Sequence, residues 1–269
     1  MCGYFGSRTF LFLGDKYLNS KETQFKHIIS LGHFCSVASD LEKIGLRSES
    51  LPFDWLITPE FENVIFAIEN HFDGFLDEEM LKQSKKTPRY YKCSRYNFEF
   101  YHDFSEFKPL SVQLPEIRQK YKRRIDRLYK AISEPCLFIR YINDKEVDNK
   151  GLCKDITAIE KHYNQFISFL ENYNAKSEVI FIANEGVSSD IIKIFNVKKD
   201  NNDNVCRNPI ENSTQLYDYL ESLNFEHRSR NLKRLKKNKL KRTLLNAFKK
   251  ARRLIQSKIC KVYIHNKRY

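Results

Sequence analysis

The feature that most constrains the fold of this sequence is the alternation of short apolar runs with longer segments of helical periodicity. Strand-like apolar runs lie at residues 28–31, 136–142 and 178–183. Apolar side chains at helical spacing predict helices over residues 36–45, 115–132 and 155–173, and around residues 189–195. Because parallel strands need crossover connections of this length, the pattern predicts an α/β fold with a mainly parallel sheet and helices on both faces.

Other segments fit around this framework. Thr58 and Pro59 have the residue types of a helix cap and a first helical position, and Phe61 begins the apolar face of the helix that they predict. Residues 90–104 alternate between apolar and polar side chains, which predicts a strand with His102 on its apolar side. Residues 214–223 predict a further helix.

The first predicted strand leads through a glycine turn to a helix that starts at a cysteine, in the order Ser30-Leu31-Gly32-His33-Phe34-Cys35. Unpaired backbone N–H groups and the positive end of the helix dipole lie near such a thiol. These groups favour the thiolate, which is the nucleophilic form of cysteine. The alternative is that Cys35 is a small buried hydrophobic residue.

Other polar residues lie where they can serve a site or the structure. Ligands of open parallel sheets bind outside the carboxyl ends of the strands, and Asn143-Asp144 and Asn184-Glu185 follow two of those ends. Arg140, inside an apolar strand, either holds a substrate carboxylate or phosphate or pairs with a structural acid. His102 by itself is more typical of a core histidine with a backbone partner.

Cysteine usage and the absence of other motifs exclude several classes. Seven cysteines, odd in number, widely spaced and without a CxxC pair, argue against a disulfide framework and a zinc site. We therefore expect no metal and no cofactor, and a reducing, cytoplasmic setting. The first fourteen residues lack the features of a secretory signal, and no run has the length of a membrane span.

The net charge of +13 is unevenly distributed. Residues 228–269 contain 17 Lys and Arg and no acid, whereas residues 1–227 contain 30 basic and 34 acidic residues and carry a net charge of −4. Apolar residues recur among the basic ones, which predicts a basic, partly amphipathic helix. Two cases stay open for it. In the first case it is a helix docked on the acidic body or a solvated end. In the second case it binds an anionic partner, for which a membrane surface fits better than nucleic acid because the apolar residues are spaced along it and no nucleic-acid motif is visible. The second case places the protein at the inner face of a membrane.

The chain thus divides into three segments. Residues 1–24 form an N-terminal lead in which Phe10-Leu11-Phe12-Leu13 is either an edge strand or a disordered stretch. Residues 25–227 form the α/β domain, and residues 228–269 form the basic helical tail.

Several segments together resemble bacterial proteins of unknown function described as putative papain-like cysteine peptidases (DUF1796). The resemblance covers about residues 26–186. It rests on the turn at residues 30–35, on Leu46-Arg47-Ser48 through Pro52-Phe53-Asp54-Trp55, on His102-Asp103-Phe104, and on the strand at residues 137–140.

The resemblance implies that Cys35 is the nucleophile and His102 its base, in a cysteine hydrolase that acts on an amide or ester. We choose Asp54 as the third group, with Asn143 and Asp144 as competitors, although Asp54 can equally cap a turn beside Trp55. Candidate substrate-binding residues are Gly32, His33, Trp55, Arg140 and Asn143.

Two other functions and one other fold stay open. The same thiol suits an acyltransferase of surface-polysaccharide biosynthesis, with a glycan acceptor. A non-catalytic protein that docks through its basic tail is the third hypothesis. A papain-like α+β layout is the alternative fold, which the crossover pattern fits less well.

Overall fold

The structure is a computed structural model that describes residues 25–144, 147–149, 151–200, 206–223, 225, 228, 230–237, 240 and 243. Its strands are β1 (His27–Ser30), β2 (Leu56–Ile57), β3 (Leu81–Gln83), β4 (Tyr91–Cys93), β5 (Phe98–Phe100), β6 (Cys136–Tyr141), β7 (Glu178–Asn184) and β8 (Ile194–Val197). Its α-helices are α1 (Ser36–Lys43), α2 (Phe61–Glu69), α3 (Leu110–Ile132), α4 (Lys154–Glu171) and α5 (Thr214–Ser222). The segment 1–24, including the apolar run at 10–13, lies outside the described residues.

The larger structural unit is a parallel sheet in the order β1-β6-β7-β8. Alternate side chains of β6 enter two separate cores. Phe138 packs with residues of α2, α3 and α4 on one face, and Ile139 packs with residues of α1 and α5 on the other. This arrangement confirms the predicted α/β class and the helices on both faces of the sheet.

A second sheet is antiparallel, in the order β2-β5-β4-β3. It joins the core that contains α2, α3 and α4, through inward side chains such as Tyr91, Phe98 and Phe100. The alternating segment at 90–104 was predicted as one strand, but it forms β4 and β5 with a turn between them, in which Asn97 has a positive φ of 57°. The two-residue side-chain period is the same on both sides of such a turn, so the pattern could not reveal it.

Three helix predictions need correction. The segment around 189–195 contains no α-helix and leads into β8, because Phe195 and Val197 alternate inward against β7. Helix α3 begins at Leu110, so Pro115 lies inside it rather than at its start. Helix α2 begins at Phe61 with Glu60 as its N-cap, and Thr58 does not cap it.

Helices α4 and α5 confirm the predictions for 155–173 and 214–223 to within two residues at each end. Residues 230–237 of the basic tail are helical, and the remainder of the tail lies largely outside the described residues. None of the helices in the described part of the chain combines the length and the apolar composition that a bilayer crossing needs.

Candidate active site

The turn before Cys35 is held by Thr58. Gly32 and His33 both adopt positive φ, at 84° and 62°. The His33 N–H donates to Thr58 Oγ1 at 2.9 Å, and the His33 carbonyl accepts from the Thr58 N–H at 3.0 Å. Thr58 is fully buried. A pair of reciprocal hydrogen bonds therefore fixes a left-handed turn that ends β1 and starts α1.

Cys35 is the N-cap of α1, and its carbonyl accepts from the Ser39 N–H at 3.0 Å. The thiol is half-buried and takes no part in a disulfide. Burial raises the pKa of the Cys35 thiol, and a hydrogen bond from its own backbone N–H opposes that rise. The sequence predicted a lowered pKa, so this expectation was wrong: desolvation of the thiol outweighs the hydrogen bond from its backbone N–H.

His102 follows β5 and is exposed. Its ring contacts Trp55 edge to face, with centroids 6.0 Å apart, and Tyr101 at 4.8 Å. It is therefore not the core histidine that regular strand alternation predicted. Asp103 does not orient it, since its carboxylate binds Lys120 and accepts from the Tyr121 hydroxyl at 2.9 Å. Among the described residues, Cys35 and His102 form no hydrogen bond with each other.

Strand β2 connects the two candidate catalytic residues. Thr58, just after β2, binds the turn before Cys35, while Trp55, just before β2, contacts His102. Leu56 of β2 pairs with Phe100 of β5. The three residue steps from Trp55 to Thr58 span at most about 10 Å of extended chain. A chain of contacts through β2 and its flanking residues thus links the turn before Cys35 to the ring of His102.

Asp54 is buried inside the short 3-10 turn Pro52–Trp55. Its Oδ2 accepts from Arg47 at 2.8 Å and from the Leu51 N–H at 2.9 Å. Burial raises the pKa of the Asp54 carboxyl, and the charge of Arg47 opposes the rise. The carboxylate thus caps the turn, which is the structural alternative raised by the sequence, and its choice as the third catalytic group stays a prediction.

Arg140 is fully buried in β6, an inner strand of the parallel sheet, one residue before the carboxyl end of the strand. Its guanidinium donates to the Leu31 carbonyl at 3.2 Å and to the carbonyls of Thr58 and Pro59 at 3.0 and 3.2 Å. It also lies 3.7 Å from the Asp155 carboxylate. The sequence left two roles open for Arg140, and the structure shows the second one, pairing with a structural acid, which is Asp155. Arg140 links the turn before Cys35 to the start of α4.

The remaining predicted residues lie at the carboxyl edge of the parallel sheet, as the crossover pattern implied. Asn143 follows β6 and donates its backbone N–H to Asp155 at 2.8 Å. Its neighbour Asp144 forms an ion pair with Lys199 at 3.0 Å. His33 is buried with its ring beside Phe34.

Sequence reasoning missed two residues that shape this edge. One is Thr58, whose buried hydroxyl is described above and which the sequence assigned to a helix cap. The other is Tyr141, whose hydroxyl donates to Asn184 Oδ1 at 2.6 Å and accepts from the Cys206 N–H at 3.0 Å. Its ring packs against Phe34 with centroids 5.2 Å apart. The sequence contained one signal for Tyr141: a tyrosine at the end of an apolar strand has a buried hydroxyl, and a buried hydroxyl needs hydrogen-bond partners.

The fold and the site define a class of mixed α/β proteins with a half-buried free thiol at a strand–turn–helix junction. The sequence profile of DUF1796, described as "Putative papain-like cysteine peptidase", matches residues 26–170. Because this match covers more than half of the chain, the chain belongs to the DUF1796 family.

A second comparison finds a viral relative. The "Uncharacterized protein R408" of Acanthamoeba polyphaga mimivirus is 30% identical over 187 residues, which cover 61% of this chain and 79% of the relative. No solved structure matches. The described residues contain no group of three His, Cys, Asp or Glu side chains that could hold a metal ion.

Proposed function

We propose that this protein is a cysteine hydrolase that cleaves an amide or ester bond, with Cys35 as nucleophile and His102 as general base and acid. The position of Cys35 is the observation that carries the proposal: a half-buried thiol at the first turn of α1, at the carboxyl edge of the parallel sheet. Membership of the DUF1796 family supports the same reaction class.

The reaction follows from the chemistry of a thiol and an imidazole. His102 takes the thiol proton as Cys35 Sγ attacks the carbonyl carbon of the substrate. The S–C bond forms, the C–N or C–O bond breaks, and the proton passes to the leaving group. Water then hydrolyses the thioester. Backbone N–H groups at the start of α1 are donors for the oxyanion.

The raised pKa of Cys35 makes the base essential. A thiol whose pKa lies above its ordinary value of 9.0 is almost entirely protonated at neutral pH. The free protein is thus a weak nucleophile, and its activation requires the imidazole to approach the sulfur when substrate binds. The exposed position of His102 leaves its ring accessible for that approach.

An ester probe tests the proposal. The protein is mixed with p-nitrophenyl acetate, p-nitrophenol release is followed, and the acetylated residue is located by mass spectrometry. We expect an acetyl-Cys35 intermediate, its absence in Cys35→Ser, and turnover reduced by about 100-fold or more in His102→Ala. Matched controls are Cys153→Ser, which removes another half-buried helix-capping thiol, and His162→Ala, which removes a histidine on α4. Acetylation of Cys153 at the same rate would contradict the proposal.

Acyl transfer to a glycan is the second candidate, and a row of aromatic side chains favours it. Tyr90 and Tyr101 lie with ring centroids 4.4 Å apart, and the row continues through His102 to Trp55. A cavity of about 400 Å³ lies beside the two tyrosines on the outer side of the antiparallel sheet. Flat aromatic side chains of this kind suit a ring-shaped acceptor. Acetyl transfer from acetyl-Cys35 to an added oligosaccharide, faster than to water, would favour this candidate over hydrolysis.

A further inference from the structure

The start of the basic tail is bound to the carboxyl end of α1. We call residues 230–237 the tail helix; Arg228, two positions before it, is also helical. Arg228 Nε donates to the Ile44 carbonyl at 3.4 Å, and Asn231 Nδ2 donates to the Gly45 carbonyl at 3.0 Å. Arg234 donates to the Ser48 carbonyl at 3.1 Å. Three tail side chains therefore bind carbonyls at and after the end of α1.

Close packing supports these hydrogen bonds. Gly45 has a φ of 77°, and a Cβ at this position would lie 2.7 Å from the Leu232 side chain. Asn231 is buried, at 5% exposure. The sequence allowed the tail either to dock on the body or to bind an anionic partner. In the structure, one side of the tail helix is docked on the carboxyl end of α1, and the opposite side is left available to bind a partner.

That opposite side is cationic. Arg230, Lys233, Lys236 and Lys237 are exposed and recur at helical spacing, and within the described part of the chain none of them has an acidic partner. The sequence from 228 to 269 contains no Asp or Glu to neutralise them. Leu240 follows on the same side and is 62% exposed. We call these five residues the cationic face.

We propose that the cationic face docks on an anionic lipid bilayer. A row of lysine and arginine with an exposed leucine suits the boundary between lipid headgroups and acyl chains, where the cations meet phosphate and the leucine enters the apolar layer. The sequence beyond Leu240 continues with apolar residues among basic ones, at Leu244, Leu245 and Phe248. A single-stranded nucleic acid instead calls for aromatic side chains on which bases stack, and the cationic face has none.

Vesicle co-sedimentation of the full chain tests this proposal. The vesicles are phosphatidylcholine alone, or phosphatidylcholine with about one third phosphatidylglycerol. We expect binding to the anionic vesicles only, with release in about 0.5 M NaCl because exposed charges are screened. A fourfold variant, Arg230→Glu, Lys233→Glu, Lys236→Glu and Lys237→Glu, should bind at least about 100-fold more weakly, since each basic residue contributes roughly fivefold to partitioning.

A matched variant separates the cationic face from net charge. Lys85→Glu, Lys86→Glu, Arg123→Glu and Lys130→Glu reverse four exposed cations on the body. This variant has the same net charge as the first and should keep most of the binding. Circular dichroism checks that both variants are folded. A further variant replaces the same four tail residues by the neutral residue Gln, and its binding to the anionic vesicles should also be weaker than that of the unmodified protein.

Three outcomes would overturn the proposal. They are equal binding to neutral and anionic vesicles, equal loss of binding in the tail and body variants, and failure to bind the anionic vesicles. If the third outcome is accompanied by retardation of single-stranded RNA in a gel, nucleic acid is the partner. The proposal is independent of the chemistry assigned to Cys35, so it can fail or hold without changing that assignment.

Discussion

Cys35 and Cys153 invite comparison because both are N-caps of helices and both are half-buried free thiols. Burial raises the pKa of each. Their surroundings differ. Backbone hydrogen bonds from Ile156 and Asp155 lower the pKa of Cys153, and the weaker effects of the charges of Asp155 and Asp144 raise it. The first turn of α1 contains no acid. The Cys153 thiol also donates to the Asn143 carbonyl at 3.4 Å.

The difference shows that a helix start does not by itself produce a reactive thiol. A cysteine at this position gains from the helix dipole but loses from burial, and nearby carboxylates can decide the balance. For Cys153, burial and the charges of Asp155 and Asp144 favour the protonated thiol, which also donates to a carbonyl, and two backbone N–H groups oppose them. For Cys35, burial is the only cause that raises the pKa, so the proposed imidazole base has only desolvation to overcome.

The largest expected effect on stability comes from Arg140, whose side chain connects the turn before Cys35 with the start of α4, next to Cys153. Arg140→Met removes the donors to Leu31, Thr58 and Pro59 and leaves Asp155 buried without its cation. We expect the free energy of unfolding to fall by about 3–5 kcal/mol, measured by urea denaturation. Arg140→Lys keeps the charge and should cost less. A loss below about 1 kcal/mol in Arg140→Met would mean that the two turns are not coupled through this side chain.

A substitution of Thr58 should affect the surroundings of Cys35 and leave those of Cys153 unchanged. Thr58→Val removes the oxygen that accepts from the His33 N–H and leaves that buried donor unpaired. We expect a loss of about 1–3 kcal/mol in unfolding free energy. Alkylation of Cys35 should change because its turn loosens, while alkylation of Cys153 stays the same. Equal changes at both thiols would show that Thr58 acts on the whole fold.

Two glycines with similar backbone conformations test the far end of α1. Gly45 and Gly151 have φ of 77° and 78°, but their surroundings differ. A Cβ added at Gly45 would lie within 4 Å of the Leu232 side chain and the Arg228 carbonyl, whereas a Cβ added at Gly151 would meet open space. Both Gly→Ala variants should lose about 1–2 kcal/mol from backbone strain. Thermal denaturation should show an additional loss for Gly45→Ala alone, and equal losses would mean that the tail helix contributes nothing at this point.

His102 should have the smallest effect on stability. It is exposed, so His102→Ala should change the unfolding free energy by less than about 0.5 kcal/mol. Esterase turnover should nevertheless fall strongly, as described above. The control His162→Ala should leave both quantities unchanged. A large loss of stability in His102→Ala would make this histidine a structural residue.

The parallel sheet could be predicted from the sequence because its strands are buried on both faces and read as continuous apolar runs, such as the one that contains Phe138 and Ile139. The antiparallel sheet could not. Its strands β2, β3, β4 and β5 are only two or three residues long, too short for a side-chain period to identify. Strand β8 was missed for the same reason, since Phe195 and Val197 are its only inward residues.

The position of Cys35 could also be predicted, because a glycine between a strand and a helix specifies the turn locally. Its pKa could not, since burial depends on packing between segments far apart in the sequence. The same limit applies to Arg140, for which the sequence offered two partners. Asp155 lies fifteen residues further along the chain, and only the path of the chain from β6 to the first turn of α4 brings its carboxylate to the guanidinium.

The most direct test of the account is the rate at which iodoacetamide alkylates Cys35 relative to Cys153, followed by mass spectrometry from pH 7 to pH 10. Both rates should rise with pH because the thiolate is the reacting form. The pH at which alkylation of Cys35 is half-maximal should lie above 9.0, the ordinary pKa of a cysteine thiol. We predict that Cys35 reacts several-fold faster than Cys153 throughout. Equal or slower alkylation of Cys35 would contradict its assignment as the nucleophile.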